Sequence, residues 1–162
     1  MNKFTKTETK SIIFIFCVLF FITGFNISLS LRRGRDSIRK NDISAIQNSL
    51  DTYLQKYKTY PLSGSNGEII GCFSNGAQLD PISEKPTNAE VCKWGESKFE
   101  GVNFMPRDPS FEKGMSYYYV SDGREYNFYI SLEGKDEAEY TPQIVAKNLH
   151  CGIKICNYSK GN

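Results

Sequence analysis

Residues 11–31, SIIFIFCVLFFITGFNISLSL, carry no charged side chain, and residues 32–60, RRGRDSIRKNDISAIQNSLDTYLQKYKTY, follow with one glycine, Gly34, and no proline before Pro61. At about 1.5 Å of rise per residue the uncharged run spans roughly 30 Å as a helix, the thickness of a bilayer's hydrocarbon core. Beyond it Ile43, Ile46, Leu50, Tyr53, Leu54 and Tyr57 recur at steps of three and four, while Arg39, Lys40, Asp42, Gln47, Asp51 and Gln55 fall on other faces. The pattern predicts a membrane helix that continues as an amphipathic one. It should end near residues 58–60, where Pro61 and the turn-forming Ser63, Gly64, Ser65, Asn66 and Gly67 stop it.

The roughly 130 residues after the apolar run suffice for one small domain with a modest core. Net charge is +2 with both signs interspersed, so the whole chain carries no field suited to nucleic acid. Basic density is local, in Arg32, Arg33, Arg35, Arg39 and Lys40, and reads as a solvated juxtamembrane collar touching lipid headgroups or neighbouring subunits.

One cysteine, Cys17, lies in the apolar run and reads as a small packed hydrophobe. The other four, Cys72, Cys92, Cys151 and Cys156, lack CxxC spacing, and the single histidine, His150, is not spaced from them as a zinc finger requires. A disulfide framework is therefore expected, and with it an oxidising, extracytoplasmic location. Three connectivities are open; pairing Cys72 with Cys92 and Cys151 with Cys156 closes the shortest loops.

From 62 to about 100 the chain is rich in Gly, Ser, Asn and Pro, with short apolar pieces such as Ile69-Ile70 and the single Trp94. A loop this long needs a staple, and a Cys72 to Cys92 bridge would restrict the unfolded chain by about 3 kcal/mol. Tyr117-Tyr118-Tyr119-Val120 reads as a strand, Asp122-Gly123 as a tight hairpin turn, and Tyr126, Phe128, Ile130 and Leu132 as the helix-facing side of a second strand. A third strand is expected at 142–147, after the acidic loop 133–139, and the chain closes with a small disulfide loop at 151–156. The fold class is thus α+β: a long N-terminal helix on an antiparallel sheet of about three strands.

No catalytic constellation emerges: His150 has no recognisable nucleophile nearby in sequence, and there is no GxxxxGK[ST] or GxGxxG loop. The chain is accordingly read as a non-enzyme without a cofactor, a metal site or a small-molecule substrate. The ten tyrosines follow strand and helix periodicity and are expected to pack rather than to form a recognition surface. Trp94, with Phe73 and Phe99, is expected to anchor the long loop from inside.

Across nearly its whole length the chain resembles type IV pilins and the pseudopilins of type II secretion. Phe4-Thr5-Lys6-Thr7-Glu8 is similar to the Phe-Thr-Leu-Ile-Glu start of the mature pilin helix. The most specific part is Arg35-Asp36-Ser37-Ile38-Arg39-Lys40-Asn41-Asp42-Ile43, followed by Ala45-Ile46-Gln47, Tyr53 and Tyr60-Pro61, which resembles the family's Arg-Asp-x-x-Arg-Lys-x-Asp pattern. Asp108-Pro109, Tyr117-Tyr118-Tyr119 and the run 126–133 with its closing Leu132-Glu133 are similar to further family signals. Prepilin peptidase cuts after Gly in this family, and Lys3 stands at that position, with Lys6 and Thr7 in place of apolar residues.

The resemblance implies a structural subunit that assembles through its N-terminal helix into a type IV pilus or secretion pseudopilus. Phe4 and Glu8 would serve subunit assembly, the glutamate neutralising a neighbour's N-terminal amine. Other pilin subunits, an assembly platform protein and a cytoplasmic ATPase would be its partners, with Lys3 counting against prepilin peptidase. The family also implies calcium as a reading for Asp136, Glu137 and Glu139, with Asp108 and Asp122, although no spacing is that of an EF-hand.

The positive-inside comparison sets Lys3, Lys6 and Lys10 against five basic residues after the run and favours a cytoplasmic domain. Cysteines and resemblance weigh the other way, giving 1–10 as a cytoplasmic segment, 11–31 as the span and 32–162 as an extracytoplasmic domain. The alternatives are a cleaved signal peptide ending near Ser28-Leu29-Ser30, and an uncleaved, membrane-tethered binding module that uses the 72–92 loop and does not polymerise.

Overall fold

The structure is a computed structural model, and it describes residues 5–135 and 138–162. Its first element, α1 (Lys6–Tyr57), is a single 52-residue helix, about 78 Å long at 1.5 Å per residue. Thr5 and Glu8 form a capping box at its start: Glu8 Oε2 accepts from the Thr5 amide at 2.7 Å. Lys58, in the left-handed region with φ 58°, ends it by donating its amide to the Leu54 carbonyl at 2.8 Å.

The stretch after Pro61 holds a small antiparallel sheet, where the sequence predicts only a loop. β1 (Leu62–Ser63) pairs with β2 (Ile69–Cys72), which pairs with β3 (Glu90–Val91). The Cys72–Cys92 disulfide closes this unit, and Ile69, Cys72 and Cys92 are buried beneath it. A short 3₁₀ turn (Phe111–Lys113) precedes the main sheet.

In the main sheet β4 (Tyr118–Ser121) and β5 (Tyr126–Ile130) form an antiparallel hairpin, with Tyr119 opposite Phe128. Its loop is four residues rather than a two-residue turn, organised by Asp122 Oδ1, which accepts from the amides of Arg124 and Glu125 at 2.8 and 3.0 Å. The third strand is not at 142–147. Pro142 instead starts α2 (Pro142–Val145), a single helical turn, since proline's fixed φ suits a first helical position. After β6 (His150–Cys151) and β7 (Lys154–Ile155), a hairpin closed by the Cys151–Cys156 disulfide, β8 (Tyr158–Gly161) pairs with β5 and completes the order β4-β5-β8.

The core lies between the second half of α1 and the inner face of this sheet. Ile43, Ile46, Leu50, Tyr53 and Tyr57 meet Tyr117, Tyr119, Phe128, Ile130 and Leu132, all buried. The alternation expected in β5 holds: Tyr126, Phe128 and Ile130 face α1, and Tyr129 packs on the opposite side against Cys151 and Cys156. Trp94 reaches in from the long loop, edge-on to Tyr117 and Phe128 at 5.6 and 6.0 Å between ring centroids.

Candidate functional site: an exposed apolar helix and its joint with the domain

The first half of α1 is long and apolar enough to span a membrane, and none of its most apolar 18-residue window is buried against the rest of the chain. Phe20 and Phe21 are each 80% exposed, and Ile13, Phe14, Phe16, Phe25 and Ile27 stand out on several sides. An apolar surface of this extent needs a cover. Three of its polar side chains are satisfied within the helix: Thr23 Oγ1 donates to the Leu19 carbonyl at 2.9 Å, Asn26 Nδ2 to Ile22 at 2.8 Å, and Ser28 Oγ to Gly24 at 3.2 Å. That internal satisfaction is what a solvent without hydrogen-bonding groups requires. Cys17 is exposed in this half rather than packed inside the chain.

Of the two residues expected to serve assembly, Phe4 lies outside the described residues. Glu8 is exposed and engaged locally, accepting from Thr5 Oγ1 at 2.9 Å as well as from the Thr5 amide.

Where the helix enters the domain, the structure corrects the reading of a solvated basic collar. Arg39 is completely buried (0% exposed), and Asp36 and Asp108 are buried with it. Its guanidinium forks onto Asp108, Nε to Oδ2 at 2.8 Å and Nη2 to Oδ1 at 3.0 Å, while Nη1 reaches Asp36 Oδ1 at 2.8 Å and Glu133 Oε1 at 2.9 Å. Arg35 grips the same Glu133, Nε to Oε1 at 2.8 Å and Nη2 to Oε2 at 2.6 Å. Asp36 in turn accepts from the Glu133 and Gly134 amides, each at 2.9 Å. Burial of these charges is tolerated because each is met by opposite charge in bidentate or amide-supported geometry.

The electrostatics follow from that geometry. Burial by itself would lower the pKa of Arg39, but the bonds to Asp108, Glu133 and Asp36 outweigh it and push it up. Arg35, seconded by Arg39, holds the Glu133 carboxyl down at about 2. One helical turn on, the Tyr117 hydroxyl donates to Asp42. Burial raises the Asp42 carboxyl against the opposing pull of that hydrogen bond.

Three separated sequence signals thus converge at one place: Arg35-Asp36-x-x-Arg39, Asp108 and Glu133 tie helix, loop and sheet together. Of the collar, Arg33 is exposed, and Lys40 pairs with Glu139 at 2.9 Å. The carboxylates read as calcium candidates are engaged by protein groups: Asp108 by Arg39, Asp122 by the hairpin loop, Glu139 by Lys40. Asp136 and Glu137 lie outside the described residues. His150 is exposed on β6.

A second feature borders the disulfide-closed loop. A cavity of about 280 Å³ opens between the C-terminal turn of α1 and the start of the 72–92 loop, lined by Lys56, Tyr57, Phe73, Lys98, Phe99 and Glu100. Glu100 is held across its wall by Lys56 Nζ at 2.7 Å and Tyr57 Oη at 2.9 Å. Phe73 and Phe99 both stack on Tyr53, so their rings serve the core and the cavity wall together.

No protein-family model, no curated protein and no solved structure matches the chain.

Proposed function

We propose that the chain is a pilin-like or pseudopilin structural subunit, held in the membrane by residues 11–31 with its domain on the extracytoplasmic side. In this reading the exposed half of α1 packs first among lipids and then beside helices of identical or related subunits in a filament. A platform membrane protein and a cytoplasmic ATPase drive its extraction. The chemistry is interaction, not catalysis.

The observation that carries the reading is the joint. A domain that merely needs tethering is served by a flexible linker, yet here α1 crosses from apolar to folded surroundings without a break and is clamped at the crossing by Asp36, Arg39, Asp108 and Glu133. A fixed orientation of domain to helix is what side-by-side helix packing in a polymer requires. The two disulfides support an oxidising compartment for the domain.

The mass of the N-terminal peptide of the mature protein tests this. A methylated Phe4 at the N-terminus is expected of a processed subunit, and an intact Met1 sinks the filament reading in its ordinary form. The second reading, an uncleaved membrane-tethered binding module, is favoured by Lys3 at the position of the family's cleavage glycine and by the cavity beside the 72–92 loop.

A further inference from the structure

We propose that the membrane-proximal end of the domain is a docking face for anionic phospholipid headgroups, built from Arg35, Lys113, Ile153 and Lys154; this rests on the membrane anchoring argued above. The domain has two ends along α1. One is marked by the Tyr60 amide donating to the Gly123 carbonyl at 2.9 Å, near the helix C-terminus. The other is marked by Asp36 on the Glu133 and Gly134 amides.

At this second end a cavity of about 190 Å³ opens, lined by Arg35, Lys113, Met115, Glu133, Ile153 and Lys154 with Arg39 at its floor. Arg35 lies four residues beyond the apolar run, roughly 6 Å of helical rise. The polar layer of a bilayer adds about 5 to 7 Å on each side of the hydrocarbon core, so this face sits at headgroup depth.

Its composition suits that depth. Ile153, at the tip of the β6–β7 hairpin, is 71% exposed, with Lys154 beside it and Lys113 across the cavity. The tip is rigid. The Cys151–Cys156 disulfide closes it, and the Ile153 amide donates to the Gly114 carbonyl at 2.9 Å. Gly152 has φ 74°, and a Cβ there would stand 2.0 Å from the Gly114 oxygen, so only glycine permits this approach.

The nearby carboxylates are already committed, Glu133 to Arg35 and Arg39, and Glu112 to Arg107 at 3.3 Å. Among the described residues none is ion-paired with Lys113 or Lys154. A preformed aliphatic tip flanked by two uncommitted ammonium groups, continuous with the anchor helix, complements an acyl boundary beneath a layer of phosphates.

Hydrogen exchange of the full chain in nanodiscs tests the proposal, comparing phosphatidylcholine alone with phosphatidylcholine containing phosphatidylglycerol. Segments 111–116 and 150–156 are expected to exchange about thirtyfold more slowly in the anionic discs, the order of factor two lysines supply beside an anionic leaflet. In K113E/K154E that difference should vanish, while exchange of β4 and β5 stays the same in both lipids. Equal exchange of the native chain in the two lipids overturns the docking face alone. A chain that fails to enter the discs overturns the anchoring reading with it.

Discussion

The two halves of α1 share one backbone and almost nothing else. From Lys6 to Leu31 no face is covered by the chain itself, and the large exposed side chains are mostly phenylalanine, isoleucine and leucine. From Asp36 to Tyr57 one stripe is covered completely, and the first two of its buried residues are charged. Hydrophobicity therefore does not sort the helix into inside and outside. The half with more apolar side chains is the uncovered one, so its solvent must come from elsewhere, whereas the half in the domain buries an arginine because its partners come with the fold.

That contrast can be broken experimentally, and the largest effect belongs to Arg39. Arg39→Met leaves Asp108 and Asp36 buried without their counter-charge and should destabilise the domain by about 3 to 5 kcal/mol, read from urea unfolding of the full chain in detergent. Pairing it with Asp108→Leu should recover part of that loss. A single-variant loss near zero would mean the clamp contributes nothing.

Ile46→Ala, in the fully covered stripe, should lower stability by about 3 kcal/mol in the same measurement. Acid should act next, through Glu133. Its carboxyl is depressed from an ordinary 4.5 to about 2, so the stability it contributes is present above pH 4.5 and is lost as pH falls towards 2. Glu133→Gln should flatten that part of the pH profile and cost about 1 to 2 kcal/mol at neutral pH. Smallest of all, Ile15→Ala should leave domain unfolding within about 0.5 kcal/mol of the native chain, although it removes the same atoms as Ile46→Ala.

How legible these features were in the sequence depended on whether periodicity alone was sufficient to find them. The core stripe Ile43, Ile46, Leu50, Tyr53 and Tyr57 is readable from its spacing, and so is the inner face of β5. The buried clamp is not apparent from residue type, because Arg and Asp are mostly exposed. Yet Asp36 and Arg39 continue the stripe at steps of three and four, 36, 39, 43, 46, 50, 53, 57, and that phase was the available signal.

Strand β8 carries no local sequence signal. Tyr-Ser-Lys-Gly is a half-exposed edge segment whose pairing with β5 lies in backbone hydrogen bonds that no local pattern reports. Segment 142–147, expected as a strand, is a helical turn instead, because Pro142 suits a first helical position. The convergence of Arg39, Asp108 and Glu133 across 69 and 94 residues of separation needed the fold to be known.

Because α1 has no hinge between its halves, the azimuth of the domain around the helix axis is tied to the azimuth of the lipid-facing side chains. One residue more or less between Leu31 and Arg35 would turn one half against the other by about 100° and shift it by about 1.5 Å, leaving both halves intact. A single inserted alanine at that point would thus be nearly silent in any unfolding measurement. It would still point every domain in the wrong direction relative to its neighbours, so a phase series of one to four insertions would show whether the angular setting of this shaft matters to what the protein builds.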